Sequence, residues 1–320
     1  MTQLADSVVQ KKEALYELAE IGETFGPIEL VVDDFKIKRF AFTQDDYRPW
    51  HFGESPFGGR IGHAAILAND LLQLYHLNYA EYGASQTAGL HTGEELRFHA
   101  PVRDGERVTL QGRYVDKYLR RGKGYVVMEA EARGEDGRLL VSHRGVEIMR
   151  VAAGSVVGKQ SSEASGPQVT GDSDSSLAPV ANAATGIRRG TPLEPLRKRA
   201  EPEHMAVYSM ISPFSKNIHT DLEAASATGL HLPIMQGQQQ VSYVSELLTG
   251  FFGASWFTSG WLNVKLINPV FAFDDLVVRG VVTGETAVEA GTQVDLEVWV
   301  ENVDGAKTAV GWAHGLVAKR

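Results

Sequence analysis

The sequence predicts an α+β chain made of two copies of one domain, in which a curved antiparallel sheet covers a long buried helix. His51 and His219 lie 168 residues apart (219 − 51), and Asp136-Gly137 and Asp304-Gly305 are separated by the same distance (304 − 136). One offset that relates distant features indicates a duplicated domain. Each half also contains a long apolar stretch followed by several short segments that have the pattern of strands.

Length and composition are those of an ordinary globular protein with two domains. The chain has 320 residues, of which 43% are hydrophobic and 22% are charged. Its formal net charge of −9 argues against nucleic acid or an anionic membrane as a partner, because both attract basic surfaces. The chain contains no cysteine, which excludes disulfides, thiolate metal sites and a cysteine nucleophile.

The sequence shows no signal for export or membrane insertion. Lys11, Lys12 and Glu13 interrupt the N-terminal apolar residues, so a secretory signal is not expected. No run of about 18 apolar residues occurs, so a membrane span is not expected either. We therefore expect a cytoplasmic protein.

The first half is predicted to contain two helices and then four strands. Apolar residues at helical spacing predict a leading helix over residues 3–21, which Gly26-Pro27 ends. Residues 28–42 have an extended pattern. Residues 62–82 are apolar on most sides, which is typical of a buried helix. The predicted strands cover residues 94–102, 106–118, 124–133 and 138–150.

A change of composition separates this half from the second. Residues 154–190 are rich in serine, glycine and alanine, which predicts a flexible linker between an N-terminal domain (1–153) and a C-terminal domain (191–320). The second domain repeats the order of the first, with a short helix near Leu222 and a buried helix that begins near Gly237. Its predicted strands cover residues 260–268, 273–283, 290–301 and 307–317.

The two predicted sheets are expected to meet. A helix that is apolar on most sides must be covered around most of its circumference, and a strongly curved antiparallel sheet provides that cover. Two such sheets can join edge to edge, which also hides their edge strands.

One short segment of the first half carries an acid, a proline and a histidine, namely Asp46, Pro49 and His51. Histidine is the side chain suited to take a proton from water near neutral pH, and a neighbouring carboxylate can orient that water or carry the second proton. The segment returns in the second half with His219, but Phe214 stands where the acid would be.

This combination resembles the MaoC-like acyl dehydratases and hydratases in their double hot-dog form. Residues 40–51 match the family's Asp-x-Asn-Pro-x-His segment at Asp46, Pro49 and His51, with Arg48 in place of the asparagine.

The segments that open the two central helices extend the resemblance. Residues 59–64 resemble the family's Gly-x-Ile-x-His-Gly stretch, with Ala64 in place of the last glycine. In the second half, Gly237 is similar to that helix-opening glycine, and His219 with Asp221 matches the family's His-x-Asp. Asn217 stands where proline is usual.

The resemblance implies a hydro-lyase, either an (R)-specific enoyl-CoA hydratase or a 3-hydroxyacyl thioester dehydratase. Asp46 and His51 would be the catalytic pair, and His219 is a further catalytic candidate. The substrate would be an acyl thioester of coenzyme A or of a carrier protein. No metal or redox cofactor is expected.

The thioester carbonyl becomes enolate-like during such a reaction and needs a hydrogen-bond donor. Free N–H groups at a helix N-terminus are suited to this. We expect the backbone N–H of Ala64 or Ala65 to be that donor, and Gly237 and Asn217 to contribute to substrate binding in the second half.

Several of these residues also have structural interpretations. His63 is expected at the start of a helix, Asp221 as a helix cap, and His219 as a lining residue of an acyl pocket. A basic cluster either forms a solvated turn or contacts coenzyme A phosphates; it comprises Arg120, Arg121 and Lys123.

Two other functions remain open at this point. A hot-dog thioesterase would use an acid to direct water onto the carbonyl, which the complete Asp46 and His51 spacing argues against. A non-catalytic acyl-thioester binding protein would explain Phe214 and Arg48. Both a monomer and a homodimer are compatible with the sequence.

Overall fold

Within the residues that the structure describes, ten strands form one antiparallel sheet that runs through both halves of the protein. The computed structural model describes residues 11–80, 89–152, 168–183, 187–209 and 216–318. The first half contains β1 (Thr24–Val32), β2 (Leu90–Phe98), β3 (Glu106–Arg120), β4 (Lys123–Gly134) and β5 (Leu139–Met149). The second half contains β6 (Leu196–Arg199), β7 (Trp261–Leu266), β8 (Asp275–Val288), β9 (Gly291–Asn302) and β10 (Lys307–Ala318).

The helices lie between the strands of each half. Those of the first half are α1 (Asp34–Gln44) and α2 (Ala68–Leu72). Those of the second half are α3 (Pro202–Tyr208), α4 (Leu222–Ala227), α5 (Gly237–Phe252) and α6 (Trp256–Ser259). Short 3₁₀ turns occupy Tyr16–Leu18, Pro49–His51, Gln73–Leu77 and Gly253–Ser255.

The strand order confirms both the duplication and the predicted junction. The order is β1-β3-β4-β5-β2-β7-β10-β9-β8-β6, so the two halves have the same strand order when each is followed from its outer edge to the middle. The edge strands β2 and β7 pair directly, from Gly93 opposite Lys265 to Arg97 opposite Trp261. The 168-residue offset also relates the starts of β5 and β10 (307 − 139).

The buried helix predicted for the second half is confirmed as α5. It has 16 residues, and nearly all of them are buried. Several of these residues are polar, and two of them form hydrogen bonds with other parts of the fold. Gln239 Nε2 donates to Thr43 O at 2.9 Å, and Gln238 Nε2 donates to Ala68 O at 3.2 Å. Both acceptors belong to the first half, so α5 packs across the boundary between the halves.

The corresponding helix predicted over residues 62–82 is wrong in most of its described length. Only Ala68–Leu72 is α-helical, followed by the 3₁₀ turn Gln73–Leu77, and residues 61–67 are irregular. The whole stretch is nonetheless buried, with Ile66 and Leu71 at 1% exposure or less. An apolar run predicts that a segment is buried, but a buried segment does not have to form a regular helix.

The leading helix predicted over residues 3–21 is also wrong where the structure describes it, from residue 11 onward. Its sole helical part is the 3₁₀ turn Tyr16–Leu18. Lys12 N donates to Asn78 O and Tyr16 N donates to Arg150 O, both at 2.8 Å. These backbone bonds to the body of the fold replace the bonds that a helix would make within itself.

A third difference concerns residues 28–42. The extended conformation ends at Val32, and α1 begins at Asp34. Asp33 caps this helix, because its side chain accepts a hydrogen bond from Lys36 N at 2.8 Å. The cap signal was present in the sequence, whereas the apolar residues that follow it suggested a strand.

The described parts of the predicted linker contact the second half. Thr170 N and Gly171 N both donate to Glu297 Oε2 at 2.9 Å, and Ala183 N donates to Phe251 O at 2.9 Å. Residues 153–167 and 184–186 lie outside the described residues. Among the described residues, no helix is long and apolar enough to cross a membrane.

Candidate active site

The turn after α1 brings Asp46 and His51 together. Asp45 adopts a left-handed conformation with φ 51°, which reverses the chain, and Asp46 N then donates to Ala41 O at 3.0 Å. The 3₁₀ turn that begins at Pro49 directs His51 back toward the acid. His51 Nε2 lies 3.4 Å from Asp46 Oδ2, and the two residues are 1% and 4% exposed.

The hydrogen-bond partner of His51 determines which nitrogen carries the proton. Nδ1 lies 3.0 Å from Ile61 O, which can only accept, so Nδ1 is the donor. A neutral ring therefore presents an unprotonated Nε2 to the carboxylate of Asp46. Because both of these atoms accept hydrogen bonds, a donor such as water is needed to join them.

Asp46 is held in its ionised form by its neighbours. Burial by itself would raise the pKa of Asp46, but a hydrogen bond from the protonated form of His51, together with the nearby His63 and Arg48, outweighs it and holds that pKa well below its usual range. Arg48 Nη1 lies 3.8 Å from Asp46 Oδ2, and Arg48 N donates to Asp46 Oδ1 at 3.1 Å. The residue that replaces the family's asparagine thus contacts the catalytic candidate directly.

His63 is the second histidine whose side chain approaches Asp46. Its Nδ1 accepts a hydrogen bond from Ala65 N at 3.1 Å, so the proton of the neutral ring lies on Nε2. This Nε2 has no hydrogen-bond partner among the described residues and lies 3.9 Å from Asp46 Oδ2. Burial lowers the pKa of His63 to about 3, which keeps the ring neutral at physiological pH.

The second half contributes two charged residues to this site that the sequence did not reveal. Glu246 on α5 and Lys198 on β6 form a buried hydrogen-bonded pair, in which Lys198 Nζ donates to Glu246 Oε1 at 2.8 Å. The same ammonium donates to Gln44 O at 2.6 Å and to Asp45 O at 3.1 Å, directly before Asp46. A signal was available, because Glu246 is the sole charged residue of α5.

Glu246 is in an unusual state for a carboxyl group. Burial raises its pKa to about 8, with Lys198 opposing and Asp46 adding to this effect. Its second oxygen, Oε2, is buried and has no hydrogen-bond partner in the described part of the chain. At neutral pH the group therefore carries a proton in the immediate surroundings of Asp46.

The same groups could be considered as metal ligands. Asp46, His63 and Glu246 each place one ligand atom within 4.8 Å of the others. The ammonium of Lys198 and the guanidinium of Arg48 already lie against the two carboxyl groups, so a divalent cation would meet two fixed positive charges. This electrostatic environment suits water and protons better than a metal ion.

The two predicted oxyanion donors of the first half are not equivalent. The N–H of Ala65 is occupied by His63, whereas no bond is described for the N–H of Ala64. The first α-helix of this region starts only at Ala68, so the dipole of a long helix does not support either N–H group.

The second half has a related arrangement without an observed acid. His219 Nδ1 lies 2.7 Å from Ile234 O, just as His51 contacts Ile61 O, and burial lowers the pKa of His219. Asn217 Oδ1 accepts from His219 N at 2.8 Å and so orders the turn. Gly237 begins α5, as predicted, while Phe214 lies outside the described residues.

The remaining predicted residues have local roles. Asp221 caps α4 by accepting from Ala224 N at 2.9 Å, which confirms the structural interpretation. The basic residues lie at the hairpin between β3 and β4, where Arg121 has φ 51°.

Family models match both halves of the chain. A model described as "MaoC like domain" matches residues 184–304, and one described as "FAS1-like, dehydratase domain region" matches residues 19–143. No curated protein matches the sequence.

Solved structures confirm the double hot-dog fold. A MaoC-like dehydratase has a TM-score of 0.73 at 14% identity and covers 95% of this chain and 100% of its own. A putative MaoC domain dehydratase from Chloroflexus aurantiacus has a TM-score of 0.69 at 11% identity, covering 98% and 99%. A conserved double hot-dog protein of Mycobacterium tuberculosis has a TM-score of 0.63 at 13% identity, covering 95% and 98%. Identities this low support the fold alone.

Proposed function

We propose that this chain, a double hot-dog protein whose halves match a MaoC-like domain model and a dehydratase-region model, interconverts a 2-enoyl thioester and water with the 3-hydroxyacyl thioester. The family sets the kind of reaction, which is hydration or dehydration. One observation supports the assignment of the site to the first half. The acceptor atoms of Asp46 and His51 face each other at 3.4 Å in a buried setting, where a water molecule could donate to both.

In the hydration direction, His51 would act as the base. Its Nε2 takes a proton from water while the water oxygen bonds to C3 of the enoyl group. The electrons of the C2–C3 double bond then move toward the carbonyl, and C2 takes the proton back from the imidazolium. Asp46, whose pKa is depressed, remains ionised throughout, orients the water and stabilises the imidazolium.

Two further groups would support this step. The N–H of Ala64 is the available backbone donor for the developing charge on the carbonyl oxygen. Lys198 and Glu246, which belong to the second half, would position the turn that carries Asp46. The ammonium of Lys198 donates hydrogen bonds to the carbonyl groups of Gln44 and Asp45 in this turn. Residues from both halves would thus be required for one site.

Hydration of crotonyl-CoA, followed by loss of the ultraviolet enoyl-thioester absorbance, tests the proposal. Asp46→Asn and His51→Ala should each reduce turnover by roughly 10²–10⁴-fold, the usual effect of removing an acid or base. His219→Ala serves as the matched histidine control and should retain most of the activity.

Three results would contradict this assignment in different ways. Loss of activity in His219→Ala alone would move the site to the second half. Release of free thiol would indicate a thioesterase. A wild-type protein that is inert on short, long and branched enoyl thioesters would favour a binding protein.

A further inference from the structure

The side chain of His63 lies in the candidate active site, yet the proposed reaction gives it no role. The residue is 2% exposed. Its Nε2 is buried and has no hydrogen-bond partner in the described part of the chain. A polar atom in this state costs free energy, because burial removes its hydration and no partner replaces it. A buried donor that lies against a reaction site therefore indicates a partner that is present during the reaction.

Two contacts hold the ring of His63 in one orientation. Nδ1 accepts from Ala65 N at 3.1 Å, which leaves the proton of the neutral ring on Nε2. The ring of Phe40 lies against the imidazole, with 5.2 Å between the ring centroids and 38° between the planes. Burial lowers the pKa of His63 to about 3, so the ring is a neutral N–H donor and does not compete with His51 as a base.

Three nitrogen atoms surround Asp46 Oδ2 at distances longer than an ordinary direct hydrogen bond. His51 Nε2 is at 3.4 Å, Arg48 Nη1 at 3.8 Å and His63 Nε2 at 3.9 Å. N–H···O hydrogen bonds usually measure about 2.7–3.2 Å. Polar atoms at longer separations can be joined by a bridging water molecule. The arrangement therefore favours one water that the carboxylate and both histidines share.

The three groups offer this water complementary hydrogen bonds. The carboxylate oxygen of Asp46 and Nε2 of His51 both accept, so they engage the two hydrogens of the water. Nε2 of His63 carries a hydrogen, so it can donate to the water oxygen. A buried water typically makes about three hydrogen bonds. With these three formed, one lone pair of the oxygen remains to bond to carbon.

We propose that His63 binds the attacking water and directs its remaining lone pair toward C3 of the enoyl group. This role rests on the proposed function, because it concerns the same water that His51 deprotonates. The water gives its proton to His51 and its oxygen bonds to C3, while the hydrogen on His63 Nε2 stays in place. In the dehydration direction the same N–H holds the departing water.

Two substitutions separate this role from a purely structural one. The side-chain oxygen of asparagine lies as many bonds from Cβ as Nδ1 of histidine, so His63→Asn can still accept from Ala65 N but loses the donor to the water. The amide nitrogen of glutamine lies as many bonds from Cβ as Nε2, so His63→Gln keeps that donor and loses the bond from Ala65 N. The order of their activities therefore identifies which nitrogen of His63 matters.

We expect the kcat of His63→Asn for crotonyl-CoA to fall by about 10²-fold, the effect of a misplaced reacting group. His63→Gln should keep most of the wild-type kcat. KM should change little in both, because His63 is assigned to the water and not to the acyl chain. His99→Asn is the control and should keep wild-type kcat and KM, since His99 is an exposed histidine that directly follows β2.

Thermal unfolding of each variant establishes that the fold is kept, and His63→Asn alone decides the outcome if His63→Gln does not fold. Wild-type turnover in His63→Asn, or a folded His63→Gln that is no more active than His63→Asn, would overturn this role. Activity that depends on His51 but not on His63 removes only this inference and keeps the proposed function. A wild-type protein that hydrates no enoyl thioester removes both.

Discussion

Asp46 has very little solvent exposure and still keeps its charge, because cationic and imidazole groups surround it. His51 and His63 approach its Oδ2 at 3.4 and 3.9 Å, and Arg48 approaches the same oxygen at 3.8 Å. A carboxylate in this setting is a permanent acceptor and a poor proton donor. Proton transfer in the proposed reaction therefore falls to His51, and the acid has an orienting role.

The pKa of Glu246 differs between the folded and the unfolded chain, so its protonation makes the stability depend on pH. Its pKa is about 8 in the folded protein against 4.5 for the ordinary group. Between these pH values the unfolded chain releases the proton and the folded chain retains it, so Glu246 makes the protein less stable as the pH rises. Glu246→Gln should remove this contribution.

Urea unfolding of wild type and Glu246→Gln at several pH values measures the effect. The stability of the wild type relative to the variant should fall between about pH 4.5 and pH 8 and then level off. Glu223→Gln, at an exposed position on α4, is the control and should not show this dependence. Parallel pH profiles for wild type and Glu246→Gln would mean that Glu246 is ionised in the folded protein.

At the scale of elements, α5 is the component that connects the candidate active site with the second half. Its first residue, Gly237, lies beside His91, and Glu246 near its centre reaches the surroundings of Asp46. The corresponding stretch of the first half is largely irregular, so α5 is the main regular helix at the boundary between the halves. Changes at the two ends of α5 should therefore have different consequences.

Two glycines of α5 provide a matched comparison. A Cβ added to Gly237 would collide with Leu266 Cδ1, so Gly237→Ala should destabilise the protein by about 1–3 kcal/mol as the neighbour moves. A Cβ added to Gly250 meets nothing closer than Arg48 Nη2 at 3.9 Å. Gly250→Ala should stabilise the protein by about 0.5–1 kcal/mol through helix propensity. Chemical denaturation measures both, and equal signs would contradict this packing.

At the scale of the whole molecule, the two halves are joined by structure rather than by the chain alone. The sheet is continuous through β2 and β7, and Trp261 Nε1 donates to Glu95 Oε1 across this junction at 2.7 Å. Lys198, which donates to Glu246, also reaches the first half through Gln44 O. Separating the halves would expose two edge strands and divide the proposed catalytic site.

A split chain tests this dependence. Fragments 1–160 and 161–320, divided within a range that the structure does not describe, should copurify as a 1:1 complex when they are coexpressed. Each fragment alone should aggregate, because β2 or β7 would be an unpaired edge. Size-exclusion chromatography and crotonyl-CoA turnover provide the measurements. A fragment that is soluble and active alone would show that one half suffices.

The sequence by itself determined the duplication, eight of the ten strands, the buried helix α5 and the segment that carries Asp46 and His51. These features have local signatures: alternation, apolar runs, turn residues and a repeated spacing. The domain limits and the catalytic roles remain predictions.

The tertiary structure decided what depends on distant contacts. Glu246 is 200 residues from Asp46 (246 − 46) and reaches it only because the halves pack through α5. Burial raises the pKa of Glu246 and lowers that of His63, so it is burial rather than residue type that determines their protonation. The irregular stretch before α2 also depends on packing, because an apolar pattern specifies that a segment is buried but not which hydrogen bonds it makes there.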